Sequence, residues 1–165
     1  ESPERVDKLV LMAAPASYRM FGEAVSPAIV DIATFYDGEG PSLERLKSFS
    51  DKFIFDPSQL TDELLERRLQ AALKPSVVAN PPMRFGPGDS LEALWRHPKL
   101  TELPHEVLLV WGREDKVIPL DYALTLLNLI PRAHLSVFPQ CGHWAQWEHA
   151  DRFNETVDAF LASKS

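Results

Sequence analysis

Residues Val107–Trp144, VLLVWGREDKVIPLDYALTLLNLIPRAHLSVFPQCGHW, decide the fold. Val107 to Trp111 is a five-residue apolar run ended by Gly112, short enough to be a buried strand. Leu120 to Ile130 carries apolar residues at helical spacing and is stopped by Pro131. His134 to Phe138 is a second strand, ended by Pro139. Beyond it, Ala150 to Ala162 predicts a helix with Phe153, Val157, Phe160 and Leu161 on one face. A third short run, Lys8 to Ala13 (KLVLMA), lies far upstream and precedes Pro15. Strands alternating with helices imply parallel pairing through right-handed crossovers, so the fold class is α/β.

Between the first strand and the other two, residues 17–104 show helical patterns and no convincing strand. Ser42 to Phe53 spaces Leu43, Leu46, Phe49 and Phe53 for a helix. Thr61 to Leu73 has Thr61 as N-cap and the acids Asp62 and Glu63 in its first turn. Pro75 to Gly88 is rich in Pro and Gly and is expected to be loop. The expected organisation is therefore a core strand and turn over 1–16, a helical cap over 17–104, and a core βαβα segment over 105–165. An insertion of this kind covers the site at the C-terminal ends of the strands.

Composition narrows the function. Of 165 residues, 17 are Lys or Arg and 24 Asp or Glu, a net charge of −7, which argues against nucleic acid, whose phosphates need clustered cations. No apolar run approaches the ~18 residues that span a membrane, and no signal peptide is visible. The lone cysteine, Cys141, makes no internal disulfide, as expected of a cytoplasmic protein.

Two loops carry chemistry. Trp111-Gly112-Arg113-Glu114-Asp115 sets a carboxylate just past the end of one strand, and Gln140-Cys141-Gly142-His143-Trp144 sets an imidazole just past the next. The two residues are 28 apart, one βαβ unit, so both loops emerge at the same end of the sheet. Asp115 can then fix the tautomer of His143 and stabilise the imidazolium that forms when it takes a proton. The bland alternative, a helix N-cap and a loop histidine, explains either residue alone but not the pair. His149 has no partners at metal-ligand spacing, Cys141 suits a small buried side chain, and Trp111 and Trp147 suit packing.

At this point the sequence resembles the α/β-hydrolase fold, whose triad runs Ser, Asp/Glu, His along the chain. With CGHWAQWEHAD (Cys141–Asp151) intact, it further resembles the meta-cleavage product hydrolases, carbon–carbon bond hydrolases of aromatic and steroid ring degradation. That resemblance extends from PERVDKLVLM to the final helix and is loosest between Ser76 and Leu100. It implies roles for three more residues. Trp144, following the histidine, would line the substrate site. Arg68, in LTDELLERR (Leu60–Arg68), would meet the anionic dienoate, with adjacent Arg67 a competitor for that role and a solvated helix charge the plain alternative. Phe53 would match a pocket aromatic. The resemblance implies a substrate of the 2-hydroxy-6-oxohexa-2,4-dienoate class, no metal or organic cofactor, and a homo-oligomer when complete.

Two segments depart from the family pattern: Ala13–Phe21 (AAPASYRMF) lacks the usual glycines, and Asn80–Gly88 (NPPMRFGPG) is unfamiliar. More important, no G-x-S-x-G occurs; Ser90, in GDSLE, lacks the second glycine and follows no strand. In this fold the nucleophile precedes the strand at Lys8–Ala13, so the serine and oxyanion hole are expected upstream of residue 1, and the chain reads as the C-terminal portion of a longer hydrolase, inactive alone. Two rivals stay open: an esterase or other acyl hydrolase of the same fold, and a non-catalytic binding protein built on it.

Overall fold

The computed structural model describes residues 3–15, 26–83 and 100–163. Its sheet has three parallel strands in the order β1-β2-β3: β1 (Lys8–Met12), β2 (Glu106–Gly112) and β3 (Ala133–Phe138). Leu9 and Ala133 flank Val107 in register, and Met12 pairs with Val110. Strand β2 is the central strand and is buried from Val107 onward, which is why its sequence is an unbroken apolar run rather than an alternation.

The period of two in β2 still sorts its side chains between two layers. Val107, Leu109 and Trp111 pack with Tyr122, Ala123, Leu126 and Ile130 around helix α5 (Leu120–Leu129). Leu108 and Val110 pack with Phe138, Cys141 and Ala145, and with Phe153, Val157 and Phe160 of helix α7 (Ala150–Ala162). The sheet is thus covered on both faces, as parallel sheets require. Lys8 on β1 fastens α7 at its end: its ammonium donates to the Phe160 carbonyl at 2.8 Å and to Ser163 Oγ at 2.8 Å, and it also meets the Ser163 carbonyl. A cation at the carbonyl end of a helix is favoured by the helix dipole.

Between β1 and β2 lie helices α1 (Pro27–Ala33), α2 (Leu43–Phe53), α3 (Asp62–Ala72) and α4 (Pro75–Ala79). The first three are N-capped by Ser26, Ser42 and Thr61, each accepting from the backbone N–H three residues on. They share a small core of Phe35, Leu46 and Leu65, packed with Phe49, Leu60 and Leu69. Phe53 and Ile54 belong instead to the cluster under α5, so the end of α2 is seated in the main core.

One expectation needs revision. Pro75–Ala79 is helical rather than loop: Pro75 occupies the first turn, where its missing N–H costs nothing, and one turn closes from Lys74. The segment after β1 carries no glycine, yet Ala13 adopts φ +43°, a left-handed conformation that costs an L-residue about 1–2 kcal/mol. The hydrogen bond from Ala13 N–H to the Val110 carbonyl and near-complete burial hold it there. Ser90, most of Ala13–Phe21 and the later part of Asn80–Gly88 lie outside the described residues.

Candidate active site

Asp115 follows β2 by three residues, and His143 follows β3 by five. Each loop leaves the C-terminal end of its strand, and parallel neighbours put those ends side by side. The result is an ion-pair contact of 2.9 Å between Asp115 Oδ2 and His143 Nδ1. The other carboxylate oxygen, Oδ1, accepts from the backbone N–H groups of Val117 at 2.8 Å and Ile118 at 2.9 Å. Asp115 is thus held by its own loop and aimed at the histidine. Its side chain is 0% exposed while that of His143 is 18% exposed, so the carboxylate is sealed and the imidazole retains an open edge.

Close backbone packing brings the loops together. A Cβ on Gly112 would collide with the carbonyls of Gly142 and Cys141, so the His loop passes directly over the end of β2. A Cβ on Gly142 would stand 2.5 Å from the Phe53 carbonyl and 2.8 Å from Ile54 Cα. Three segments, 112, 141–142 and 53–54, therefore stack with no side chain between them. Glu114 adds a second tie: its N–H donates to the Cys141 carbonyl at 3.0 Å, and its Oε2 accepts from Cys141 N–H at 3.1 Å. Burial opposes ionisation of that carboxyl, but hydrogen bonds from the Cys141 backbone and Arg113 outweigh it and leave its pKa lowered.

The helical segment reaches the same site. Phe53 O accepts from His143 N–H at 2.5 Å, and the Phe53 ring stands edge-on to the imidazole with centroids 5.1 Å apart. Phe53 also lies 5.0 Å from the ring of Trp144, and the Arg68 guanidinium carbon sits 4.3 Å from the centre of that ring. Arg68, Trp144, Phe53, His143 and Asp115 therefore form one continuous line of contacts. Arg68 is exposed as a residue, but burial of its guanidinium, then the charge of Arg67, lowers its pKa from the usual arginine range. It also borders an apolar cavity of about 410 Å³ lined by Phe35, Tyr36, Phe49, Val77 and Met83 among others. On the opposite loop, buried Ser26 caps α1 and donates to the Val117 carbonyl at 2.7 Å.

Residues 1–150 match the family described as the alpha/beta hydrolase fold. The chain belongs to that family. A 2-hydroxy-6-oxononadienedioate/2-hydroxy-6-oxononatrienedioate hydrolase of Escherichia coli K12 is 40% identical to this α/β-hydrolase over 97% of this chain and 55% of its own. Among solved structures, a meta-cleavage product hydrolase of Pseudomonas fluorescens IP01, complexed with acetates, superposes with TM-score 0.76 at 33% identity over 96% of this chain and 56% of its own. The 2-hydroxy-6-oxo-6-phenylhexa-2,4-dienoate hydrolase of Rhodococcus sp. strain RHA1 superposes with TM-score 0.79 at 29% identity over 98% of this chain and 57% of its own. The chain spans about 55% of the length of the curated relatives it matches. The motif resemblance drawn from CGHWAQWEHAD and these comparisons point to the same group of proteins.

The remaining conspicuous residues are accounted for by packing and local bonding. Trp111 is fully buried and donates Nε1–H to the Ile118 carbonyl at 2.7 Å. His149 Nε2 pairs with the Gln140 carbonyl at 3.0 Å. Trp147 is exposed and meets Trp144 edge-on. Burial, reinforced by the nearby carboxylates of Glu148, Asp115 and Glu114, pushes the Cys141 thiol up to about 12, which leaves it no nucleophilic role at neutral pH. Sequence reasoning missed Ser26, Glu114 and Glu148. The Ser26-Pro27 pair is a visible N-terminal signal, but the glutamates bond to backbone across loops, and no spacing rule announces that. Among the described residues no helix is long and apolar enough to cross a membrane.

Proposed function

We propose that this chain supplies the cap and the Asp–His pair of a meta-cleavage product hydrolase, which cleaves the C5–C6 bond of a 2-hydroxy-6-oxohexa-2,4-dienoate with water. The observation that supports this reading most is the contact line itself, in which a guanidinium stands two aromatic rings away from a carboxylate-oriented histidine. A simple ester has no anionic group for Arg68 to receive; a dienoate does.

In this reading Arg68 holds the dienoate carboxylate and favours the ketonised form, in which the carbon leaving from C6 is stabilised as an enolate. His143 Nε2 takes the proton of a serine hydroxyl as the serine oxygen bonds to C6. The C5–C6 bond breaks, a proton is delivered to C5, and an acyl-enzyme remains. His143 then takes a proton from water, whose oxygen displaces the serine and releases the carboxylic acid. Asp115 stays ionised throughout and balances the imidazolium. The 165 residues hold no G-x-S-x-G; in this reading the serine is supplied from outside them, and residues 1–165 alone should not turn over the dienoate. The remaining proposals are that 17–104 act as the lid over a core of 1–16 and 105–165, and that the complete enzyme is a cytoplasmic homo-oligomer.

The test is steady-state cleavage of 2-hydroxy-6-oxo-6-phenylhexa-2,4-dienoate by the full-length protein, followed by loss of the dienoate absorbance and by appearance of benzoate. Hydrolysis of p-nitrophenyl acetate with no dienoate cleavage would overturn the substrate assignment in favour of a simple esterase.

A further inference from the structure

Glu148 closes the one-turn helix α6 (Ala145–Glu148), and its carboxylate accepts from three backbone N–H groups around the site. Oε1 accepts from Gly142 N–H at 3.0 Å and Trp144 N–H at 3.2 Å, the residues on either side of His143. Oε2 accepts from Gly142 N–H at 3.0 Å and from Phe55 N–H at 2.7 Å. The backbone N–H of His143 itself goes to Phe53 O. So every backbone N–H from 142 to 144 is held either by Glu148 or by the end of α2, and Glu148 grips that end as well. In return, Glu148 N–H donates to the Trp144 carbonyl at 2.8 Å, which closes a ring between the two residues.

We propose that Glu148 is a positioning residue that couples the cap to His143, by tying the backbone on both sides of the histidine to the Phe55 N–H at the exit of α2. The inference rests on the reading of His143 as the base of an acyl-transfer step, but not on the identity of the acyl substrate. Only a carboxylate satisfies this donor set. It offers two acceptor oxygens to three N–H groups, whereas a glutamine offers one oxygen and must turn its NH2 toward a donor. Aspartate, one methylene shorter, cannot span Phe55 and the His loop together. With the clamp broken, only the His143 N–H to Phe53 O bond and the Gly142 stack still join the segments 53–55 and 142–144, and the backbone on both sides of His143 loses its tether.

The experiment compares Glu148→Gln, Phe55→Pro and the double variant in the full-length protein. Phe55 is exposed, and Ile54 before it is extended (φ −120°, ψ 156°), the conformation favoured before proline, so the substitution suits the preceding residue while it removes the N–H. Turnover is read on p-nitrophenyl acetate and on the phenyl dienoate, with unfolding midpoints alongside. Expected are a kcat loss of roughly 10- to 100-fold for Glu148→Gln with KM within about twofold, and a smaller loss of the same kind for Phe55→Pro. The double variant should be no worse than Glu148→Gln, since both break one linkage. A Glu148→Gln kcat within twofold of the parent overturns the proposal, as does strict additivity of the two losses. If Glu148→Gln fails to fold, Phe55→Pro decides alone, and a parental kcat there overturns the coupling. Absence of dienoate turnover in the parent would remove the substrate assignment while leaving the Glu148 effect on the ester to be judged separately.

Discussion

Replacing Asp115 by asparagine separates the chemical duty of this side chain from its structural one. Oδ1 accepts from Val117 and Ile118 N–H, and Oδ2 faces His143 Nδ1, where the proposed mechanism gives it its chemical duty. An asparagine that keeps its oxygen on the two N–H groups must turn its NH2 to Nδ1. Two donors cannot share a hydrogen bond, so Nδ1 becomes the acceptor and the imidazole proton moves to Nε2, the nitrogen required as base. Wrong-tautomer histidine in a triad loses about 10⁴ in kcat, which corresponds to about 5.4 kcal/mol of transition-state stabilisation. Stability should suffer far less, by about 1–2 kcal/mol, because both loop hydrogen bonds survive. Asp115→Ala differs: it orphans two backbone donors at about 1–3 kcal/mol each and should unfold earlier than Asp115→Asn. Single-turnover acylation measured beside urea unfolding of the full-length variants resolves the two effects. An Asp115→Asn enzyme within tenfold of the parent, or one as destabilised as Asp115→Ala, would refute the division of labour between the oxygens.

Other outcomes follow from the same geometry. His143→Ala should nearly abolish turnover on any acyl substrate, with stopped-flow absorbance showing no acyl-enzyme burst. Arg68→Ala should cut kcat/KM for the dienoate by about tenfold or more while changing p-nitrophenyl acetate hydrolysis by less than about twofold, because a charge-assisted contact is lost only for the anion; equal losses would make Arg68 a structural residue. Gly142→Ala places a methyl against the Phe53 carbonyl and should cost about 1–3 kcal/mol of stability, read as a lowered urea midpoint, with activity falling in parallel as the α2 exit is pushed from the His loop. An unchanged midpoint would mean that this stack yields easily.

The three strands, the helix between β2 and β3 and the final helix were legible because each has one dominant signal. Val107–Trp111 is too short for a buried helix, Pro131 punctuates α5, and α7 repeats its apolar face. The pairing of Asp115 with His143 was legible because one βαβ unit admits only one placement of two successive loop ends. Apolar spacing from Leu43 to Phe53 revealed α2, and the Thr61 cap gave away the start of α3. Where reading failed, the cause was a tertiary constraint overriding local composition. The composition of Pro75–Gly88 suggests loop, but Pro75 is an efficient helix start, and nothing in the sequence distinguishes the two uses. Ala13 has a left-handed backbone that its own type disfavours, fixed by a hydrogen bond to β2. Glu148 looks like a surface acid on a short helix until the backbone N–H groups it receives are seen together.

The buried thiol at Cys141 makes the His loop a self-timed clock. It is the single cysteine of these 165 residues and lies two positions before His143, under the stack of 112, 141–142 and 53–54. Because burial holds it protonated up to about 12, the folded loop presents neither access nor thiolate to an electrophile, and alkylation proceeds only through moments when the loop lifts. When reclosing outpaces alkylation, the ratio of its labelling rate to that of a free thiol reports the fraction of time the loop spends open. The folded-state pKa is raised above the ordinary 9.0, so closed-loop stability is fully present below pH 9 and declines from there toward pH 12, and labelling should accelerate over that interval by more than free thiolate formation alone supplies. A substrate that presses the cap onto the core would slow the clock, and the concentration that halves the rate would measure its binding without any turnover.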